Sequence, residues 1–425
     1  MKIRKAAEKA TKQAARISAM IPVRQTSADR GESPALLEPL ILSPASKARP
    51  EFTDLVLELA SRSTGFTRSL SKGVAAALAD LVRSMNCYYS NSIEGHYTHP
   101  IDIEKALKND YSRDANKRNL QHEAKAHIEV QRWIDSGGLR HPPTTRASIC
   151  EIHRRFYEHL PDELLTIENP DTHERMRMVP GELRTADVAV GRHIPVSAGS
   201  VPRFLDRFEQ VYTPLGRTES IMAAAAAHHR FAWIHPFLDG NGRVVRLLSH
   251  ATLLDSLDTG SLWSVSRGLA RNVDDYKRHL AACDQARRND FDGRGNLSEE
   301  ALVEFTRFFL NICTDQVKFM ESLIAPDRLR ARVLLWAEEE TKLKLLHPKA
   351  KNLLEALLYR GEVPRGEAPQ VMGTSSTGSR RIVNDLAKYG AIRSDSPYGP
   401  LRLALPATLA PRWLPGLFPD KKDEG

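Results

Sequence analysis

A glycine-rich turn ahead of an apolar segment constrains this chain more than any other feature. Residues 235–246 are His-Pro-Phe-Leu-Asp-Gly-Asn-Gly-Arg-Val-Val-Arg. Glycine adopts positive φ without steric cost, so Gly240 and Gly242 could let successive backbone N–H groups converge into an anion-binding nest around Asn241. Apolar residues recur at helical spacing after Arg243, which predicts that a helix begins at the turn.

Two arginines fall in the first turn of this predicted helix. Arg243 and Arg246 are three residues apart and share one helix face, although the helix dipole disfavours cations at an N-terminus. An anion such as a polyphosphate between them would remove this conflict. Asp239 adds an oxygen ligand of the kind that Mg²⁺ prefers when it also holds substrate phosphates. The segment therefore predicts a site for a phosphate ester.

The same residues resemble the signature of the Fic (filamentation induced by cAMP) family, His-Pro-Phe-x-Asp/Glu-Gly-Asn-Gly-Arg-x-x-Arg. All nine defined positions match, and the resemblance extends over roughly residues 52–319. It implies a nucleotidyltransferase that moves AMP from ATP to a Ser, Thr or Tyr hydroxyl of a target protein, the chain itself included. It also implies a mainly α-helical Fic-type bundle with a short β-hairpin flap.

The resemblance assigns a role to most residues of the signature. His235 would be the base that accepts the proton of the target hydroxyl, and Asp239 would hold Mg²⁺ between the α- and β-phosphates. The loop backbone and the Asn241 side chain would cradle the anion, while the arginines neutralise the leaving pyrophosphate. The expected phosphate-binding residues are Gly240, Asn241, Gly242, Arg243 and Arg246. Tyr276 is a candidate for the lining of the adenine pocket.

A second motif lies upstream of the signature. Residues 90–95, Ser-Asn-Ser-Ile-Glu-Gly, resemble the family's inhibitory motif, Ser/Thr-x-x-x-Glu-Gly/Asn. The resemblance implies that Glu94 pairs with Arg246 and occupies the guanidinium that the γ-phosphate of ATP needs, since one fork cannot serve two bidentate acceptors. An ordinary helix end followed by Gly95 would have the same sequence. Both interpretations can hold, and we expect an autoinhibited enzyme.

The segment 178–195 predicts a β-hairpin. Val188 and Val190 alternate before Gly191, and residues 181–184 would form the opposite strand. The segment resembles the family's flap, which holds a target by strand addition to an exposed edge. A plain surface hairpin would have the same pattern. Strand addition selects backbone more than sequence, so the target cannot be predicted from this segment.

The composition is that of a globular protein with two or three domains: 425 residues, 41% of them apolar and 27% charged. No apolar run is long enough for a membrane helix, and the N-terminus lacks a secretory pattern. The four cysteines form no C-x-x-C pair. These features predict a cytoplasmic protein without membrane contact, and a net charge of +8 suits acidic or phosphate-bearing partners.

The predicted organisation has five parts: a basic, Pro- and Ser-containing mobile leader (1–50), an N-terminal helical region with the inhibitory motif (51–110), a Fic catalytic core (111–325), a winged helix-like domain (326–410) and a tail (411–425). Within residues 350–405 the order is helix, turn, helix, hairpin, as in a winged helix-turn-helix. Arg380 and Arg381 lie near the start of its second helix. Such a unit would contact DNA, another protein or a second copy of the chain in a homodimer.

Two other functions remain open on the sequence. The same fold could remove AMP from a modified protein, with Glu94 positioning water, or could use another nucleotide or phosphodiester donor. Alternatively, the chain could be a DNA-binding regulator whose Fic core senses a nucleotide. An intact His235 argues against the regulator, because a sensor needs the anion nest but no base.

Overall fold

The computed structural model describes residues 21–22 and 28–419, except 169–172, 174 and 258. Over these residues the chain is mainly α-helical with short strands, as predicted. The helices of the first part are α1 (Arg49–Ser69), α2 (Lys72–Ile93), α3 (Pro100–Leu107), α4 (Ala115–Asp135), α5 (Arg146–Tyr157), α6 (Val201–Tyr212), α7 (Arg217–Ile234) and α8 (Asn241–Ser256). Those of the second part are α9 (Val265–Arg271), α10 (Val273–Cys283), α11 (Glu299–Ile324), α12 (Pro326–Lys342), α13 (Ala350–Arg360), α14 (Ala368–Met372), α15 (Ser376–Lys388) and α16 (Ala410–Trp413).

The strands are short and form three small sheets. They are β1 (Ile21–Pro22), β2 (Thr166–Glu168), β3 (Arg175–Arg177), β4 (Val188–Ala189), β5 (Glu362–Val363), β6 (Ile392–Arg393) and β7 (Leu401–Leu403). β1 pairs with β4, β2 with β3, and the third sheet has the order β5-β7-β6. Every pairing is antiparallel. The sheets are therefore a small part of a mainly helical structure.

Helix α8 lies at the centre of that core. It contacts α2, α4, α5 and α7, and 11 of its 16 residues are buried. The five consecutive alanines 223–227 of α7 are buried too, and side chains this small allow the backbones of α7 and α8 to approach closely. The loop that joins these two helices is the glycine-rich turn, so the packing of α7 against α8 fixes the position of both its ends.

The segment before α1 differs from the predicted mobile leader. Leu37, Leu40 and Leu42 are buried, the Leu297 N–H donates to the Glu38 carbonyl at 2.8 Å, and the Arg230 guanidinium donates to the Pro39 carbonyl. These apolar side chains and main-chain bonds hold residues 28–48 against the core. The leader's remaining residues, apart from strand β1, lie outside the described ones.

The predicted pairing of residues 181–184 with 188–193 is absent, whereas the chain does turn at Gly191, where Val190 and His193 form an antiparallel bridge. Strand β4 pairs with β1, in the register Ile21 with Ala189 and Pro22 with Val188. Residues 181–184 form no strand, because the buried Arg184 is tied to the glycine-rich turn: its N–H donates to the Pro236 carbonyl at 2.9 Å and its Nε to the His235 carbonyl at 2.8 Å.

Residues 350–403 contain the predicted order of helix, turn, helix and hairpin, formed by α13, α14, α15 and the strands β6 and β7. Strand β5 adds a third strand beside β7. Arg380 and Arg381 are exposed on α15. The assignment of this unit to the winged helices stays a prediction. The predicted tail is packed as far as residue 419, since Trp413 and Leu417 are buried and the Tyr89 hydroxyl donates to the Leu417 carbonyl at 2.9 Å.

No helix of the described part is long and apolar enough to cross a membrane.

Buried neutral histidines predict that the folded protein loses stability in acid. Burial lowers the pKa of five of them to about 3 or 4, namely His127, His153, His228, His229 and His235. In the unfolded chain the pKa of these histidines is near 6.5, so between that pH and their lower folded pKa values the unfolded chain binds more protons than the folded chain. The free energy of unfolding is therefore highest above about pH 6.5 and decreases as the pH falls. Each such histidine contributes up to about 1.4 kcal/mol per pH unit.

We expect urea unfolding at several pH values to show this loss, and His127→Gln to flatten the slope of stability against pH. His159, whose side chain is 80% exposed, provides the control, because His159→Gln should leave the slope unchanged. A slope that is the same in both variants would contradict the assignment.

Candidate active site

The glycine-rich turn passes twice through the left-handed region of backbone conformation. His235 ends α7 with φ 52° and ψ 63°, and Gly240 precedes α8 with φ 78°. A Cβ on Gly240 would also overlap the Tyr157 hydroxyl, so only glycine fits there. Gly242 differs from the sequence prediction: it lies in the first turn of α8 and has no positive φ.

Asn241 closes the turn. Its Oδ1 accepts from the Phe237 N–H at 2.9 Å and its Nδ2 donates to the Phe237 carbonyl at 2.8 Å. Phe237 is fully buried and its ring stacks on His153 at 3.9 Å between centroids. Both ends of the Asn241 amide thus hold the loop in shape, and the expectation that this side chain also cradles the anion stays a prediction.

This clamp gives a prediction for stability. Asn241→Ala leaves a buried N–H and a buried carbonyl of Phe237 unsatisfied, which should lower the free energy of unfolding by about 2 kcal/mol or more. Denaturant unfolding measures the loss. Asn384→Ala, at an exposed position of α15, should change stability little. Equal stabilities of the two variants would mean that the clamp does not hold the turn.

His235 has the protonation state that a general base needs. Its Nδ1 lies 3.3 Å from the Ala232 carbonyl, which can only accept, so Nδ1 carries the proton and Nε2 the lone pair. Burial first, and then the charge of Arg184, lower the pKa of His235 to about 3. The imidazole is therefore neutral at physiological pH.

Asp239 provides an ionised carboxylate at the rim of the turn. Its Oδ2 accepts from the Tyr157 hydroxyl at 3.1 Å and from Arg243 Nη2 at 2.8 Å. Burial alone would raise the pKa of Asp239, but the Arg243 charge and the Gly240 N–H outweigh it and hold the pKa below its ordinary value. The side chain remains 41% exposed, so the carboxylate can meet a ligand from solvent.

Arg243 lies between two carboxylates. Besides Asp239, its Nη1 lies 3.1 Å from Oε1 of the buried Glu123 on α4. Glu123 in turn lies 3.0 Å from Nδ1 of His96. The guanidinium is also 5.3 Å from the Phe156 ring centroid, within cation–π range. These contacts fix the direction of Arg243. Three residues of the site were not predicted from the sequence: Glu123, Tyr157 and Arg184.

Arg246 is held by the end of α2. Its Nε donates to Ser90 Oγ at 2.8 Å and its Nη2 to the Ser90 carbonyl at 3.0 Å. Nη2 also donates to Glu94 Oε1 at 2.6 Å. The ion pair that the inhibitory motif predicts is therefore present. Burial opposes ionisation of Glu94, but Arg246 outweighs it and lowers the pKa of that carboxyl.

The Glu94 carboxylate also lies over the backbone of the turn. A Cβ built on Gly242 would overlap Glu94 Oε1, so that oxygen rests directly above the first turn of α8. This is where an anion at the helix N-terminus would lie. Each signature arginine thus contacts a carboxylate of the chain, and Glu94 occupies the space above Gly242.

The other predicted site residues lie at the edges of this arrangement. Tyr276 is buried and its hydroxyl is 2.7 Å from His228 Nε2, which places it in the aromatic core beside the site; its role in an adenine pocket stays a prediction. Val188 is buried, while Val190 is half-buried and Gly191 is exposed with φ 60°. Their role in holding a target is likewise a prediction.

The described part of the chain contains no group of three His, Cys, Asp or Glu side chains that could hold a metal ion by itself. Asp239 is nevertheless suited to Mg²⁺, since it is ionised and half-exposed, and Mg²⁺ is commonly bound by one or two carboxylates together with substrate phosphates.

The part of this chain that is similar to a known family contains the glycine-rich turn. Residues 143–253 match the Fic/DOC family. The proteins called "Protein adenylyltransferase Fic" of Drosophila erecta and Drosophila melanogaster are each 28% identical to this chain over 169 residues, which are 39% of this chain and 31% of those proteins. The chain thus matches less than a third of the length of these curated relatives.

A solved structure shows the same fold. The crystal structure of a Fic family protein from Desulfovibrio desulfuricans G20 superposes with a TM-score of 0.50 at 17% identity, covering 86% of this chain and 98% of that one. At this identity the likeness concerns the fold alone. With the family match over the turn and its flanking helices, it leads to one conclusion: residues 143–253 of this chain are a Fic domain of the Fic/DOC family.

Proposed function

We propose that this protein is an adenylyltransferase that moves AMP from ATP to a Ser, Thr or Tyr hydroxyl of a target protein, and that Glu94 inhibits it. The supporting observation is the turn itself: a neutral histidine, an ionised carboxylate, a helix N-terminus and two buried arginines meet within residues 235–246. The name of the Drosophila relatives supports the same activity.

His235 has the proton-accepting role in the proposed reaction. Its neutral imidazole, held by Ala232, accepts the proton of the target hydroxyl through Nε2. The hydroxyl oxygen forms a bond to the α-phosphorus, the bond from that phosphorus to the oxygen bridging the α- and β-phosphates breaks, and pyrophosphate leaves. The low pKa of His235 keeps the base unprotonated before reaction, and the negative phosphates stabilise the imidazolium that forms.

The phosphates have a ready-made site once Glu94 moves. The N-terminus of α8 offers backbone N–H groups and the positive end of its dipole. Arg243 is already directed by Glu123 and Asp239, and Arg246 by Ser90. A γ-phosphate on Arg246 would replace the Glu94 carboxylate, because both are anionic acceptors for the same guanidinium, which Glu94 meets through Nη2.

Mg²⁺ would be held by Asp239 together with phosphate oxygens, where it neutralises negative charge on the triphosphate. Asp239→Ala should therefore raise the Mg²⁺ concentration that gives half-maximal transfer by about tenfold or more. A Mg²⁺ titration of the transfer rate measures the shift. The exposed Glu182 gives the control, since Glu182→Ala should leave the titration unchanged. An unaltered curve for Asp239→Ala would remove the metal role.

Label transfer tests the proposal and its rivals. The Glu94→Gly protein, incubated with a lysate, should attach more label to protein from ATP labelled at the α-phosphate than Glu94→Gly with His235→Ala does, whereas label from ATP labelled at the γ-phosphate should be equal for the two. Unlabelled GTP, CTP and UTP in excess should not prevent it. Suppression by one of these nucleotides would assign another donor. Release of AMP from a premodified protein without any attachment would assign the reverse reaction.

A further inference from the structure

Strand β4 runs alongside the base of the site. At its N-terminal side, Arg184 donates to the carbonyl of His235 at 2.8 Å. At its C-terminal side, His193 Nε2 donates to the Trp233 carbonyl at 2.8 Å. Both anchors attach to the backbone that carries His235. An extended segment added to the edge of β4 would therefore join a strand whose two flanks are bonded to the main chain at residues 233 and 235.

Part of the chain's own N-terminal segment already lies on that edge. Ile21 and Pro22 pair antiparallel with Ala189 and Val188. In the described part of the chain, β4 pairs with no strand other than β1. The space for an added strand is thus taken by residues of the same chain.

The residues that follow hold this segment close to β4. The Ser197 N–H and hydroxyl donate to the Glu32 carboxylate at 2.8 and 2.6 Å, and the Arg30 N–H donates to Ser197 Oγ at 3.2 Å. Arg30 Nη1 lies 3.4 Å from Oδ2 of Asp187, the residue directly before β4. Burial opposes it, but the bonds from Ser197 lower the pKa of Glu32 to about 2, so these contacts persist at any physiological pH.

Further along, Leu37, Leu40 and Leu42 are buried in the core. We call residues 28–42 the strap. The strap fixes residue 28 only six positions beyond Pro22, so β1 is offered to the β4 edge at an effective concentration in the millimolar range. A strand pair with a dissociation constant below this concentration is then occupied most of the time.

We propose that the segment around Ile21–Pro22 is an internal occupant of the β4 edge, which the extended segment of a target protein must displace. That the competing segment belongs to a target protein rests on the proposed function, whereas the occupation of the β4 edge by β1 does not. The device is independent of Glu94: Glu94 covers the phosphate side of the site, and β1 covers the side where a target backbone would lie.

Amide hydrogen exchange tests the occupancy in the full chain. A variant with residues 20–23 (Met-Ile-Pro-Val) changed to Gly-Ser-Gly-Ser should show exchange about tenfold or more faster than the parent at residues 188–189, because the strand pair no longer protects them. The matched control changes residues 9–12 (Lys-Ala-Thr-Lys) to the same four residues and should leave the exchange as in the parent. Equal melting temperatures of the three proteins show that the fold is intact.

A synthetic peptide of residues 14–27 completes the test. At about 1 mM it should slow the exchange of residues 188–189 in the Gly-Ser-Gly-Ser variant, and the same peptide N-methylated at Ile21 should do so less. Parent-like exchange in the strand variant, or no response to the peptide, would overturn the proposal. If exchange behaves as expected but no AMP transfer is found with Glu94→Gly, the proposed function fails and the occupied edge stands.

Discussion

The His235→Ala variant is expected to transfer AMP about 10²- to 10⁴-fold more slowly than its parent, which is the usual effect of losing a positioned base. Both proteins should carry Glu94→Gly so that the parent rate is measurable. ATP affinity should be unchanged, because His235 acts on the hydroxyl and the phosphates are held by α8, Arg243 and Arg246. Single-turnover rates and equilibrium binding of ATP measure the two quantities separately.

The contrary outcomes differ in meaning. Transfer at the parent rate would remove His235 as the base. A loss of ATP affinity as large as the loss of rate would mean that His235 shapes the turn, whose backbone it enters at positive φ, and does not act in the chemistry.

Replacing Glu94 with glycine is expected to raise the transfer rate at low ATP concentration by about 5- to 150-fold, the range of a coupling of 1 to 3 kcal/mol. The reason is the bond of 2.6 Å between Glu94 and Arg246, which the γ-phosphate must replace. Stability should change little, because Ser90 continues to accept two hydrogen bonds from Arg246. Initial rates over a range of ATP concentrations and a thermal melt measure both effects.

A double variant tests the mechanism of this release. Glu94→Gly combined with Arg246→Ala should lose most of the gain, and the two changes should be strongly non-additive because they act on one interaction. Glu94→Gln keeps the shape of the side chain without its charge and should be intermediate. A lower rate of transfer in Glu94→Gly, or loss of AMP removal alone, would make Glu94 a catalytic or structural group.

The sequence predicted those parts of the site that lie close together along the chain. The turn could be recognised because the two glycines, the start of α8 and the two arginines all lie within twelve residues. The partner of Arg246 was also predictable, since residues 90–95 form a contiguous motif. Glu123 and Tyr157 were not, because only the packing of α4 and α5 against α8 brings them to Arg243 and Asp239.

Two local expectations failed, and the Asn241 amide has a role that the sequence did not indicate. It satisfies the buried Phe237 N–H and carbonyl, while its contact with a ligand stays a prediction. The flap was paired with residues 181–184, but Arg184 is tied to His235 and a distant segment supplies the second strand. Residues 28–48 looked like a mobile leader because of their prolines and serines, yet three leucines among them are buried. Tertiary contacts decided the outcome for the flap and for residues 28–48, and a bond within the turn decided the role of Asn241; periodicity reveals neither kind of contact.

Intact-mass spectrometry tests the central claim most directly. The purified Glu94→Gly chain, incubated with ATP and Mg²⁺ alone and with lysate proteins, should yield a protein, itself or another, that is heavier by one AMP group. The shift should be absent when His235→Ala is added. Proteins that stay unmodified under these conditions, or that gain in place of AMP a phosphate that His235→Ala abolishes, would contradict the account.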